Sequence, residues 1–143
     1  MASKGRLELE SELQDRFTFQ DHDFFNPNPV QNPDVFLLRF ILHDWPDQDV
    51  VKILQQLIPS VGPKTRMLIS DIVTPAAGSV HPLREKYIRN MDMMMMSMFN
   101  SLERSRQDWE AVIARADARL KIVSINTPEG SGLSMIEVVK EDL

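Results

Sequence analysis

The sequence predicts an α/β fold with parallel strands and a C-terminal antiparallel hairpin, and three observations predict it. Two apolar runs, residues 35–42 (VFLLRFIL) and 67–73 (MLISDIV), read as strands buried on both faces of a parallel sheet. Between them Val50, Val51, Ile53, Leu54, Leu57 and Ile58 form a helical stripe, giving the β-α-β order that joins parallel strands. Two β-rich runs, residues 120–125 and 133–139, flank a loop containing Pro128, Gly130 and Gly132, as the arms of a hairpin do.

The elements follow in order. Residues 1–33 read as an N-terminal segment with a short polar helix (8–16, carrying Leu7, Leu9 and Leu13 alongside), a brief strand at Phe17-Thr18-Phe19, and a Pro/Asn-rich turn over 26–33. Residues 34–143 hold the α/β unit. After the first strand, His43-Asp44-Trp45-Pro46-Asp47 turns the chain into a helix. Asp44 is expected as N-cap, Pro46 suits an early helical position, and Asp47 and Asp49 favour the helix dipole. Pro59 ends that helix and Gly62-Pro63 makes the next turn. A long helix is read over 84–99, with Asn100-Ser101 as its exit, and a further helix over 107–116.

At 143 residues the chain is the size of one domain. Sixteen basic against 21 acidic residues, a net charge of −5 with the signs interspersed, exclude the basic stripe of a nucleic-acid or anionic-membrane binder. No apolar stretch approaches the roughly 20 residues of a membrane span. The start lacks the apolar centre of a secretory signal, so the expectation is a cytoplasmic protein. With no cysteine there is no disulfide, thiolate nucleophile or thiolate metal site, and no metal site is read elsewhere.

Polar side chains among apolar neighbours mark the candidate chemistry. His43 follows the first strand, at the strand end where open α/β sheets bind ligands. It is either an acid–base group working near neutral pH or a residue that only opens the helix and hydrogen-bonds its turn. Asp71 lies between Ile69 and Ile72 and either seeks a buried cationic partner or marks an exposed strand end. Glu103 reads by itself as a solvated loop acid or a partner for Arg104. Met91, Met93, Met94, Met95, Met96 and Met98 cover more than one helix face, so some are expected to meet a flat apolar ligand or a partner chain.

Taken jointly, Leu37-Leu38-Arg39-Phe40-Ile41-Leu42-His43-Asp44-Trp45-Pro46-Asp47, Leu68-Ile69-Ser70-Asp71, Asp92-Met93-Met94-Met95-Met96, Asn100-Ser101-Leu102-Glu103-Arg104-Ser105 and Ser134-Met135-Ile136-Glu137-Val138-Val139 resemble the caffeate-type, S-adenosylmethionine-dependent O-methyltransferases of plants and fungi. The resemblance runs over about residues 7–140 and implies part of a Rossmann-like methyltransferase fold. It implies His43 as general base toward an aromatic hydroxyl, with Asp71 and Glu103 bracketing it. The family more often has glutamate where Asp71 stands, so Asp71 reaches less far. By the same resemblance Asp23, Phe24 and Arg39 contact the S-adenosylmethionine cofactor, and Met95 and Asn100 line a small aromatic or polyketide-like substrate.

The glycine-rich cofactor loop, the acid that follows the next strand, and the helical dimerisation domain of that family match nothing in these 143 residues. The expectations are therefore weak or absent methyl transfer by the chain alone and an open edge on the first strand. That edge suits a homodimer, a complex with a fuller-length relative, or a cover folded back from residues 1–20. Two other functions fit the same residues: a non-methylating cyclase or dehydratase, and an assembly partner that completes another chain.

Overall fold

The computed structural model describes residues 11–141. Its regular elements are β1 (Val35–Arg39), α1 (Asp47–Leu57), β2 (Arg66–Asp71), β3 (Val73–Thr74), α2 (Pro82–Phe99), β4 (Arg104–Ser105), α3 (Arg106–Ala116), β5 (Leu120–Asn126) and β6 (Ser134–Lys140). Four strands form one sheet in the order β1-β2-β6-β5, and β3 and β4 form a separate parallel pair. β1 runs parallel to β2 with Leu37 beside Leu68, whereas β6 inserts antiparallel between β2 and β5. The α/β layout with a parallel pair and a C-terminal hairpin agrees with the sequence reading.

One face of this sheet carries the core. Met67 and Ile69 of β2 and Ile136 and Val138 of β6 point to it, and α1 and α3 cover it with Val50, Ile53, Leu54, Trp109, Val112 and Ile113. α1 begins because Pro46 sets an extended entry (φ −64°, ψ 156°) and Asp47 and Asp49 occupy the first turn. α3 begins at a reciprocal capping box between Ser105 and Asp108. The hairpin loop turns at Gly130, whose φ of 75° lies in the region glycine enters without strain.

Several expectations are corrected. β1 is not buried on both faces: Phe36 and Leu38 pack toward the core, but Val35 and Leu37 are 47% and 61% exposed. The reason is position, since β1 is the edge of the sheet and nothing among the described residues covers its outward face. The strand also stops at Arg39, where Phe40 turns into left-handed backbone at φ 52°. Asp44 does not cap α1. It belongs to a 3-10 turn, Leu42–Asp44, because Trp45 precedes a proline and is held extended (φ −116°, ψ 138°), so the helix starts after Pro46.

Phe17-Thr18-Phe19 is irregular chain and not a strand. The helix read over 8–16 is a 3-10 helix, Ser11–Arg16, its earlier residues lying outside the described ones. Residues 11–20 add no strand to the edge of β1, so the described part of the fold-back cover is absent. Among the described residues no helix is long and apolar enough to cross a membrane.

Candidate active site at the strand ends

β1 and β2 end side by side, and each end delivers a polar side chain. Beyond β1, the left-handed Phe40 redirects the chain into the 3-10 turn that buries His43. An aromatic residue with positive φ costs on the order of 1–3 kcal/mol, which the surrounding packing must offset. β2 ends in Asp71, which is 0% exposed. The β3–β4 pairing, Val73 beside Arg104, then brings residues 101–104 alongside the strand that continues from Asp71. Glu103 arrives next to His43 by this route.

His43 Nδ1 and Glu103 Oε1 are hydrogen-bonded at 3.1 Å. A carboxylate only accepts, so Nδ1 carries the hydrogen, and in the neutral ring Nε2 then keeps its lone pair. Nε2 lies 3.5 Å from Asp44 Oδ1. Glu103 is itself held twice: its backbone N–H donates to Asp92 Oδ1 of α2 at 2.8 Å, and its carbonyl accepts from Thr74 Oγ1 at 3.0 Å. Neither carboxylate oxygen of Asp71 has a hydrogen-bond partner among the described residues, and the same holds for Glu103 Oε2.

The electrostatics follow from that packing. The hydrogen bond that His43 donates to Glu103 raises the pKa of His43 above 6.5; burial opposes it, and the charges of Asp71, Glu103 and Asp44 reinforce it. Burial pushes the Asp71 carboxyl from 3.8 up to about 7, with Glu103 and Asp44 adding to the rise and His43 and Arg104 opposing it. The cluster can accept a proton on a buried imidazole and stabilise the resulting cation.

The remaining sequence-derived residues are more dispersed. Arg39 is exposed, with its guanidinium 5.1 Å from the Phe40 ring, and the same ring lies 5.2 Å from that of His43 between centroids. Phe24 packs edge-on against Trp45 at 5.7 Å and lines an apolar cavity of about 170 Å³ with Phe36, Leu38, Ile41 and Ile53. Asp23 is exposed and occupied locally, accepting from Phe25 N and Asn26 Nδ2, both at 3.0 Å. Met95 is buried, whereas Asn100 is exposed at the left-handed end of α2 (φ 53°) and returns its N–H to the Met95 carbonyl. Met93, Met94, Met96 and Met98 are exposed.

Sequence reasoning missed the supports of this cluster. Glu103 is neither the solvated loop acid nor the Arg104 partner that its local sequence offers: it is buried, and Arg104 turns away to Asp47 and the carbonyls of Leu42 and Trp45. Asp92 and Ser101 stand in the motifs and at the helix exit with no role assigned by sequence, yet they hold the Glu103 N–H and the carbonyls of His43 and Trp45. The available signal was a polar run, Asn100 to Ser105, directly after an apolar helix, but burial of that run cannot be read from its composition.

An open α/β sheet with an acid–base cluster at adjacent strand ends is the arrangement of a Rossmann-like domain, represented here in part. The chain belongs to the O-methyltransferase domain family, whose model matches residues 1–118. It is 45% identical over 141 residues to the O-methyltransferase fsr2 of Gibberella fujikuroi, covering 98% of this chain and 36% of that protein. It is 48% identical over 138 residues to the grayanic acid biosynthesis cluster O-methyltransferase of Cladonia grayi, covering 96% of this chain and 30% of that protein. The chain thus spans about a third of the length of these curated relatives.

Among solved structures, TnmH superposes with a TM-score of 0.84 at 28% identity, over 97% of this chain and 40% of the other. LepI, solved in complex with SAM, superposes with a TM-score of 0.73 at 29% identity, over 85% of this chain and 29% of the other. Phe24 lines the small cavity beside β1, whereas Arg39, at the end of that strand, faces the Phe40 ring and is not among the residues lining that cavity. That cavity, at about 170 Å³, falls short of the roughly 300 Å³ from which ligand pockets begin, so it does not by itself enclose such a cofactor.

Proposed function

We propose that this chain is part of a small-molecule O-methyltransferase of secondary-metabolite biosynthesis, with His43 as general base toward an aromatic hydroxyl. The single observation that carries this reading is the buried His43–Glu103 hydrogen bond of 3.1 Å beside Asp71, at the strand ends of a chain belonging to the O-methyltransferase family. S-adenosylmethionine, when bound, supplies the methyl group, and Asp23, Phe24 and Arg39 are the residues we assign to holding it. His43 Nε2 accepts the hydroxyl proton while Nδ1 stays on Glu103, which fixes the ring and its tautomer. Glu103, Asp71 and Asp44 then stabilise the imidazolium, the same charges that raise the His43 pKa. Met95 and Asn100 are assigned to the substrate side, and the methionines around them suit a flat aromatic or polyketide-like molecule.

The curated relatives are named O-methyltransferases, which favours this reading over a non-methylating cyclase or a pure assembly role. The small cavity and the open edge of β1 support weak cofactor binding by the 143-residue polypeptide and assembly with a second copy or a fuller-length relative. The acidic, cysteine-free composition supports a cytoplasmic setting.

The test is methyl transfer from S-adenosylmethionine to a panel of phenols, read by mass spectrometry, for the chain alone and mixed with a full-length relative. We expect little turnover alone. In whichever arm is active, His43→Ala is expected to lower transfer by about 10²- to 10⁴-fold. Glu103→Gln is expected to cost less and to move the alkaline rise in rate to lower pH, because the neutral amide loses the charge and the charge-assisted bond that raise His43. Transfer unaffected by His43→Ala, or absent from both arms, overturns the reading.

A further inference from the structure

Arg104 is 0% exposed, and it lies immediately after Glu103 in the chain. A guanidinium withdrawn from water is costly unless its N–H groups are all received by acceptors. Here Nη1 donates to the carbonyl of Leu42 at 3.0 Å and Nη2 to the carbonyl of Trp45 at 2.8 Å. Nε and Nη2 also reach Asp47 Oδ1, at 3.0 and 2.9 Å, and the charge sits 5.2 Å from the Trp109 ring. Ser101 Oγ shares its hydrogen between the carbonyls of His43 and Trp45, at 2.5 and 2.8 Å. Residues 101–104 therefore form a strap that takes the carbonyls of residues 42, 43 and 45, leaving the turn around His43 little freedom to move.

The strap acts on His43 twice. Glu103 holds the ring at Nδ1, and Arg104 holds the backbone on both sides of the same residue. A planar fork fixes the spacing of its acceptors, which a single ammonium does not. We propose that Arg104 is a positioning residue: it sets the His43 turn at the distance from which Glu103 reaches the imidazole. The proposal rests on the reading of His43 as general base and deepens it. The groups that face His43 are Glu103 from the strap, Asp71 from β2, Asp44 from its own turn and the Phe40 ring, while the Arg104 guanidinium acts on Asp71 and on the backbone of the turn.

The experiment is an NMR titration of the His43 ring in the full 143-residue chain, assigned by loss of its signal in His43→Ala. Circular dichroism reports the fold of each variant. Glu103→Gln provides the benchmark, a fall in the His43 midpoint. Arg104→Lys, which keeps the charge and loses the fork, is expected to stay folded and to lower the midpoint in the same direction by about 0.5 to 1 unit. Asp47→Asn and Ser101→Ala should produce smaller falls of the same sign. A folded Arg104→Lys protein with an unchanged midpoint overturns the proposal. Should that variant not fold, Asp47→Asn and Ser101→Ala decide, and unchanged midpoints in both overturn it. A midpoint that moves while methyl transfer ignores His43→Ala refutes the base reading and leaves the positioning role intact.

Discussion

β1 and β2 are parallel neighbours of similar composition that meet opposite fates. β2 lies inside the sheet, with Met67, Ile69, Ser70 and Asp71 buried, while β1 lies at its edge, with only Phe36 and Leu38 turned to the core. Their C-terminal ends differ in the opposite sense. His43, beyond the exposed strand, has its ring and the carbonyls around it bound by residues 101–104. Asp71, ending the buried strand, has no hydrogen bond to either oxygen among the described residues. Burial and polar satisfaction are thus decided separately: the sheet supplies the first, and a strap from a different part of the chain supplies the second.

The sharpest way to break this comparison is to place a charge on each strand in turn. Ile69→Asp puts a carboxylate into a fully buried position and is expected to destabilise by about 4 kcal/mol or more, enough to unfold a domain of ordinary stability. Leu37→Asp, on the uncovered face of β1, should change the unfolding free energy read from urea titration by less than about 0.5 kcal/mol. Equal losses would show that β1 is covered in solution.

A second prediction concerns the unpartnered acid. Because the folded Asp71 carboxyl is raised from 3.8 to about 7, the folded state holds a proton that the unfolded state releases within that window. Stability from this group therefore falls as pH rises from about 4 to 7. His43 adds a loss of the same sign, since its folded pKa is raised above 6.5 and its contribution fades as pH passes through the higher value. Asp71→Asn is expected to flatten the first slope, gaining on the parent by on the order of 2–4 kcal/mol between pH 4 and pH 8. Urea unfolding at four or five pH values reads this directly, and parallel curves for the two proteins would count against it.

The smallest effect on stability is expected from Val35→Lys, within about 0.5 kcal/mol, because the side chain is half exposed at the sheet edge. Its effect should appear in assembly. A lysine on an open edge discourages strand pairing, so sedimentation at micromolar concentration should move toward the 16.5 kDa monomer. A parent chain that is already monomeric would remove β1 as an assembly surface.

Much of the fold was legible because apolar periodicity reports local structure well. The β-α-β unit and the terminal hairpin follow from runs whose spacing suits one element each. The candidate site was legible chiefly through joint motifs, since His43, Asp71 and Glu103 are each ambiguous when read singly. Asp44 was misjudged as a cap because the extended demand that Pro46 makes on Trp45 outweighs the capping preference of an aspartate two residues earlier. Arg104 was misjudged because adjacency to Glu103 suggested a pair, while the chain directs the two side chains to different partners, the ring of His43 and the turn around it.

The amino-acid sequence by itself determined the main strands and helices of the β-α-β unit and the terminal hairpin, and which residue types are available for proton transfer. These depend on neighbours within a few positions. Only the tertiary structure decided that β1 is an edge with one open face, that β6 enters between β2 and β5, and that a buried arginine secures the His43 turn. Those outcomes depend on which segments meet across about 30 to 70 positions of chain, as Glu103 and His43 do at a separation of 60. Contacts at such separations are set by the packing of the whole sheet and its helices, and no local pattern encodes them.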